Sequence, residues 1–426
     1  MAEIFGRGVS AVVQVQSDFS VFPTTGTWRP TTAYERSDGE TRPREIDPLL
    51  GVAGMHNDRD PVASAPSLTQ GGGQIQVPIC LREIGYWLIA TFGTPVTEEV
   101  EAGVYKHTFE SGKSQLNYLA QSKKIADGWY QRTRGLCVNT FAINLEKAAG
   151  FPRATLGTML RDAAKAAVEA TGTIGEAFEP LRPTAARPFV SRDGASAPTT
   201  AFAFNYSNQF ERFDPLMPEG EESEYPEGFD PGDSQPNGSF TVRVQDATFD
   251  DLADADTAEP WSFGWRVADA LGVGNDVDAV LRFTANNVKI DRSPLSVNAP
   301  GRLTTTYNYI VEQSDEGPAI TIELINDVPF YIQTAPEAFA SDDWSVTPGD
   351  EEADVTISEL PADGNSAITD IEYRVGTGEW TSSGGTTSFT ITGLTNAVEV
   401  NIAIRAKNAI GAGPASATKA VTPTSV

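Results

Sequence analysis

In the stretch CysValAsnThrPheAlaIleAsnLeu (Cys137–Leu145), Phe141, Ile143 and Leu145 alternate with Thr140, Ala142 and Asn144. A period of two places apolar side chains on one face of a strand and polar ones on the other. Working outward, the same alternation recurs over Gln74–Ile79, Thr200–Tyr206, Ser239–Val244, Val280–Ile290, Leu303–Val311 and Ile320–Ile325. The 38 Gly and 28 Pro punctuate these runs as turn residues do, so a mainly β fold follows. Two stretches break the pattern. Arg82–Phe92 carries Ile84, Trp87, Leu88 and Thr91 at helical spacing, and Arg161–Ala170 is rich in Ala; both are read as short helices, each covering one face of a sheet.

The 426 residues exceed one ordinary core, so two or three domains are expected. Charge excludes one class of function. Against 31 Lys and Arg stand 58 Asp and Glu, a net of −27, and such a surface repels polyanions on average. Two Cys and two His leave no zinc ligand set and no disulfide framework. Cys80 and Cys137 read as buried thiols, and His56 and His107 lack the companions of a catalytic triad. Asp250, Asp251, Asp254 and Asp256 lack the alternating ligands and turn Gly of a calcium loop, so they read as a solvated helix face. No active site, metal or cofactor is expected. The N-terminus has no basic flank before an apolar run, and Gly85–Gly93 is too short to cross a bilayer, which reads as a protein left in the cytoplasm without membrane insertion.

The chain also looks doubled. Gly73, Ile75, Val77, Ile79, Trp87 and Ala90 align with Gly238, Phe240, Val242, Val244, Leu252 and Ala255 at one constant offset, so residues 1–195 and 196–335 are expected to be two related β modules. A boundary follows Tyr331, and residues 341–426 form a further domain. Asp214–Pro260 holds 14 acidic residues and one basic residue. Within it Pro218–Asp233 is expected to be an extended or partly disordered loop.

One basic knot, Lys123, Lys124, Arg132 and Arg134, lies among Tyr118, Trp129 and Tyr130. It could stack bases, or be a solvated loop. The preferred reading is that it meets the acidic segment of another copy, through Glu219, Glu221, Glu222, Glu224, Glu227, Asp230 and Asp233.

Gln74–Gly93, Tyr105–Phe109 and Trp129–Leu145, followed by Ala203–Asn208, Gly238–Ala253, Asn298–Tyr307 and Glu323–Val328, resemble in ordered succession the tail tube proteins of long, non-contractile-tailed bacteriophages (siphoviruses). The tail of the chain, in Pro361–Val375, Ser388–Leu394 and Ile404–Ser416, is similar to fibronectin type III domains, which are Ig-like β-sandwiches. Ser358 stands where that family has its core Trp and Val400 where it has its corner Tyr, so Trp344 or Trp380 must fill the core.

The resemblance implies a non-enzymatic virion protein, assembled in the host cytoplasm, whose copies form stacked rings around a closed β-barrel lumen. It implies duplicated tube modules with short flanking helices, three double-module chains per ring or alternatively six chains, and a C-terminal decoration domain that either touches the host surface or is a passive spacer. Its partners would be other copies, the tape measure, terminator and distal tail proteins, and phage DNA passing without specific binding. Thr140, Asn144, Thr304, Thr306 and Asn308 are the lumen-lining candidates, on a wall expected to be negatively charged. A tube terminator, a baseplate ring protein or an extracellular glycan-binding protein are the competing readings.

Overall fold

The computed structural model describes residues 10–16, 18–46, 64–185, 187–219, 223–272, 274, 276–294, 302–314 and 317–425. His56, Glu221 and Glu222 lie outside the described residues. The chain divides into two compact units between Tyr331 and Ile332.

In the first unit, strands β1 (Ser10–Gln16), β2 (Thr27–Thr31), β3 (Glu35–Arg36), β4 (Gly39–Thr41), β5 (Arg44–Ile46), β6 (Ser64–Pro66) and β7 (Gln70–Pro78) lead into helix α1 (Ile84–Phe92). There follow β8 (Val96–Glu101), β9 (Val104–Glu110), β10 (Tyr118–Ala126), β11 (Trp129–Glu146), β12 (Arg153–Met159), β13 (Asp162–Ala166), β14 (Thr173–Ile174), β15 (Pro188–Arg192) and β16 (Ala195–Ser196). Next come β17 (Thr199–Ser207), β18 (Glu211–Phe213), β19 (Gly228–Asp230), β20 (Asn237–Arg243), helix α2 (Thr248–Asp254), β21 (Glu259–Leu271), β22 (Val277–Ile290), β23 (Thr304–Glu312) and β24 (Ile320–Asn326).

Each stretch with strict alternation is a strand, as expected. The two helical readings fare differently. Arg82–Phe92 contains α1, but all nine helical residues are buried, so the helix lies within the core rather than covering a sheet with one face. Arg161–Ala170 is not a helix. Its Asp162–Ala166 is β13, laddered to Tyr130–Arg134 of β11, because Asp162 is gripped by both Arg134 and Arg161 and continues the line of β12 along the same partner. Tertiary pairing overrides the Ala propensity here.

The same pairing order occurs twice. In the N-terminal part β1 pairs β10, β10 pairs β11, and β11 pairs β13; in the C-terminal part β15 pairs β21, β21 pairs β22, and β22 pairs β24. β7 and β20, each followed by a helix, pair β12 and β23, which pair in turn with the second halves of β11 and β22. β17 joins the parts by pairing β11 on one side and β20 on the other. The hairpin β8–β9 lies against β24 and has no counterpart after α2, where the chain passes directly into β21. Aromatic residues fill the second part: Phe202, Phe204, Phe240, Trp261, Phe263 and Phe283 are buried, with the Phe263 and Phe283 rings 5.5 Å apart and nearly parallel.

The second unit is a β-sandwich. One sheet runs β25 (Trp344–Pro348), β26 (Glu352–Ile357), β29 (Phe389–Thr392), and the other β28 (Thr381–Ser382), β27 (Asp370–Val375), β30 (Val400–Lys407), β31 (Lys419–Val421). Of the two Trp candidates, Trp344 enters the core, with Phe339, Ile371, Ile391 and Ile404. Trp380 instead stacks with the guanidinium groups of Arg374 and Arg405, at 4.8 and 4.2 Å from its ring.

Candidate functional site

β7, β12, β11, β17, β20 and β23 form one continuous antiparallel sheet. Its core face carries Ile75, Leu156, Phe141 and Tyr206, then Val77, Ala154, Ile143 and Phe204, and further along Phe240, Tyr307 and Tyr309. The opposite face is what the alternation leaves over. One cross-strand row reads Gln74, Gly157, Thr140, Ser207, and the next Gln76, Thr155, Ala142, Asn205, Asn237, Ile310. A third reads Asn144, Ala203, Ser239, Asn308, and a fourth Glu146, Ala201, Thr241, Thr306. Thr304 follows opposite Arg243. All five lumen candidates thus stand on this face, each exposed.

The rows are built mostly of small amides, hydroxyls and methyls, with Ile310 their one large apolar member and Glu146 their one charged member; Arg243, opposite Thr304, adds a cation beyond them. Close packing is part of that design: a Cβ on Gly157 would lie 2.2 Å from Thr140 Oγ1, and Thr241 and Thr306 share a hydroxyl hydrogen bond of 2.8 Å. Arg153, at the margin, is held over the Tyr34 ring at 4.0 Å and donates to Gln76 Oε1. This face is mostly uncharged, with Glu146 in its rows and the exposed Arg243 beyond them, so it is not the acidic surface expected of these candidates. Carboxylates in these positions would repel one another across strand spacings of about 5 Å, whereas amides and hydroxyls reach across that spacing to hydrogen-bond, as Thr241 and Thr306 do.

The basic knot is dispersed. Lys123 is buried, its ammonium on the Asp38 carbonyl at 2.8 Å and carboxylate at 3.5 Å, and burial draws its pKa below the usual lysine value. Around it Gln121 donates to Asp38, and the half-buried Arg36 donates to Gln121 and lies over Trp87. Burial pushes the nearby Glu83 carboxyl up, although Thr32 donates to it from its backbone N–H and hydroxyl. Lys124 pairs with Asp127 at 2.7 Å. Arg132 donates to the carbonyls of Val168 and Glu169 beneath the Phe22 ring, and Arg134 forks onto Asp162. Each cation has a partner within its own chain.

The acidic segment is anchored by other arginines. Glu224 pairs with Arg42 and Glu227 with Arg161 at 3.2 Å, while Tyr225 lies under both guanidinium groups. Thr69 N–H donates to the Glu224 carbonyl, and Arg212 donates to the Thr69 carbonyl. Its C-terminal part is more ordered than expected, since Gly228–Asp230 is a strand and Phe229 is buried with Cys137 and Phe210. Glu219, Asp230 and Asp233 are exposed. Arg42, Arg161 and Arg212 were not singled out in the sequence, because the residues they hold lie far along the chain.

Cys80 and Cys137 are free, buried thiols, and burial raises the Cys137 thiol far above its usual range. Among the described residues no His, Cys, Asp and Glu cluster could hold a metal, and no helix is long and apolar enough to cross a membrane.

No curated protein matches the chain. Among solved structures, the sixth fibronectin type III domain from human fibronectin type III domain containing protein 3 is 23% identical, covers 22% of this chain and 91% of its own, and has a TM-score of 0.19. The titin kinase and its flanking domains are 21% identical over 21% of this chain and 17% of theirs, with a TM-score of 0.17. The family model described as phage tail tube protein matches residues 9–311, well over half of the sequence. The chain belongs to the phage tail tube proteins, a family of structural virion components.

Proposed function

We propose that copies of this chain close into rings that stack as the tail tube of a siphovirus-like phage, with the mostly uncharged face of the six-stranded sheet lining the channel for the genome. One observation carries the reading: a continuous sheet with an aromatic core on one side and, on the other, mostly small polar groups with Glu146 and Arg243 as charged members. A duplex carries one phosphate charge per roughly 1.7 Å, and its field reaches a wall within about 8 Å at physiological salt. Cations there would release counterions and bind; hydroxyls and amides exchange hydrogen bonds with water and give phosphate no fixed partner.

The repeated pairing order supports two tube modules per chain, fused at β17, so three chains complete a ring of six. Closure through neighbouring copies would remove the open sheet edges that otherwise aggregate. Tape measure, terminator and distal tail proteins are the expected neighbours at the ends of such a tube, and the sandwich of residues 332–426 is its surface decoration, of fibronectin type III type. Electron microscopy of the purified chain tests this. Hollow tubes with threefold rings are the expected result; sixfold rings would replace the trimer by six chains, and a stable monomer would end the proposal.

A further inference from the structure

The β18–β19 connection ends in an apolar knob. Leu216 is 102% exposed, and Phe213 and Met217 beside it are 49% and 37% exposed, with Glu219 following. The connection is anchored at its flanks, because Arg212 donates to the Thr69 carbonyl and Arg42 and Arg161 pair with Glu224 and Glu227. So exposed a leucine in so acidic a setting calls for a partner that is apolar within and cationic at its rim.

Such a recess exists on the same chain. A cavity of about 480 Å³ has Pro188, Phe189 and Val280 in its lining and Arg187, Arg266 and Arg282 around it. Arg266 pairs with Asp278 at 3.1 Å and Arg282 with Glu323 at 2.8 Å, whereas among the described residues no carboxylate pairs with Arg187. The N-terminal part shows what fills a place of this kind. There the row Val12, Ser122, Arg132 corresponds to Phe189, Gly264, Arg282, and Phe22 and Trp28 cover it, with Phe22 5.1 Å from the Arg132 guanidinium. After β15 the chain turns straight back through β16 into β17 and supplies no such plug.

Knob and recess cannot meet within one chain. The cavity shares Pro188 and Phe189 with a recess lined by Glu146, Thr199 and Thr200, at the start of β17. The knob follows the other end of β17, beyond Ser207, and a strand of nine residues is about 30 Å long. The geometry points to a head-to-tail contact in which the Leu216 knob of one copy enters the arginine-rimmed recess of a second copy, with Glu219 facing Arg187. A heterologous contact closes into a ring or runs on as a filament according to its rotation; because knob and recess lie at opposite ends of β17, this one runs on along the direction of the strands and stacks one ring on the next. In that last respect it rests on the tube reading.

The test uses the full chain with Leu216→Cys and Ala268→Cys together, oxidised after assembly; both native thiols are buried and stay silent. A disulfide ladder, absent from either single variant, is expected. Leu216→Asp, which leaves a fully exposed position exposed, should raise the concentration needed for stacking at least about tenfold. Tubes that form with no ladder and are indifferent to Leu216→Asp would overturn the contact and leave the tube reading intact. A ladder without hollow tubes would uphold the contact and overturn the tube.

Discussion

Lys123 and Asp38 illustrate how far residue type alone can mislead. A lysine in a basic run reads as surface, yet this one is 6% exposed and faces a 4% exposed aspartate. Removing one member of a buried ion pair strands the other charge, so Asp38→Ala should cost about 3–5 kcal/mol, read from denaturant unfolding. His107 is wholly buried: its Nε2–H donates to the Val328 carbonyl at 2.9 Å, and Nδ1 accepts from the Thr97 hydroxyl at 2.8 Å. Burial depresses its pKa below the usual 6.5, so the unfolded chain takes the proton more readily. Its contribution is therefore complete above about pH 6.5 and is lost as pH falls below that value, by up to about 1.4 kcal/mol per pH unit. Melting temperature should fall from pH 7 to 5 in the native chain and fall less in His107→Gln. Neither burial was legible in the sequence, because each depends on a partner from a distant strand.

At the level of elements, strict alternation was the reliable signal and composition the unreliable one. Phe141, Ile143 and Leu145 all point into the core and Thr140 and Asn144 out of it, as the spacing requires. Asp162–Ala166 shows the limit: its alanines favour a helix, and a ladder with β11 decides otherwise. That Thr140, Asn144, Thr304, Thr306 and Asn308 share one exposed face was legible because a period of two is local, whereas the anchors Arg42, Arg161 and Arg212 were not. Gly238 marks the tightest approach between β20 and β17, where a Cβ would lie 2.0 Å from the Ala203 carbonyl and 2.5 Å from the Tyr309 hydroxyl. Gly238→Ala should destabilise the fold by about 1–3 kcal/mol, while Gly385→Ala, with nothing within 4 Å of its Cβ, should change the denaturation midpoint little.

For the molecule as a whole, 58 acidic residues stand against 31 basic ones, yet the four rows of the candidate wall hold a single carboxylate, Glu146. Converting Asn144 and Thr306 to Lys places two cations per chain on that wall. If the face lines the channel, DNA release from such particles should slow and regain speed as salt is raised; unchanged release at low salt would remove these residues from the channel. The repeated order of strands was visible in the sequence only as a faint offset, since side chains diverge while pairing order persists. β17 has a mechanical consequence. Its hydrogen bonds clasp both halves of the chain, and β9 pairs β24 across the same division, so the halves can part only by breaking one β17 ladder together with the β9–β24 ladder. A pulled or bent assembly would yield first at seams where no peptide bond crosses, and its fragments would be whole chains.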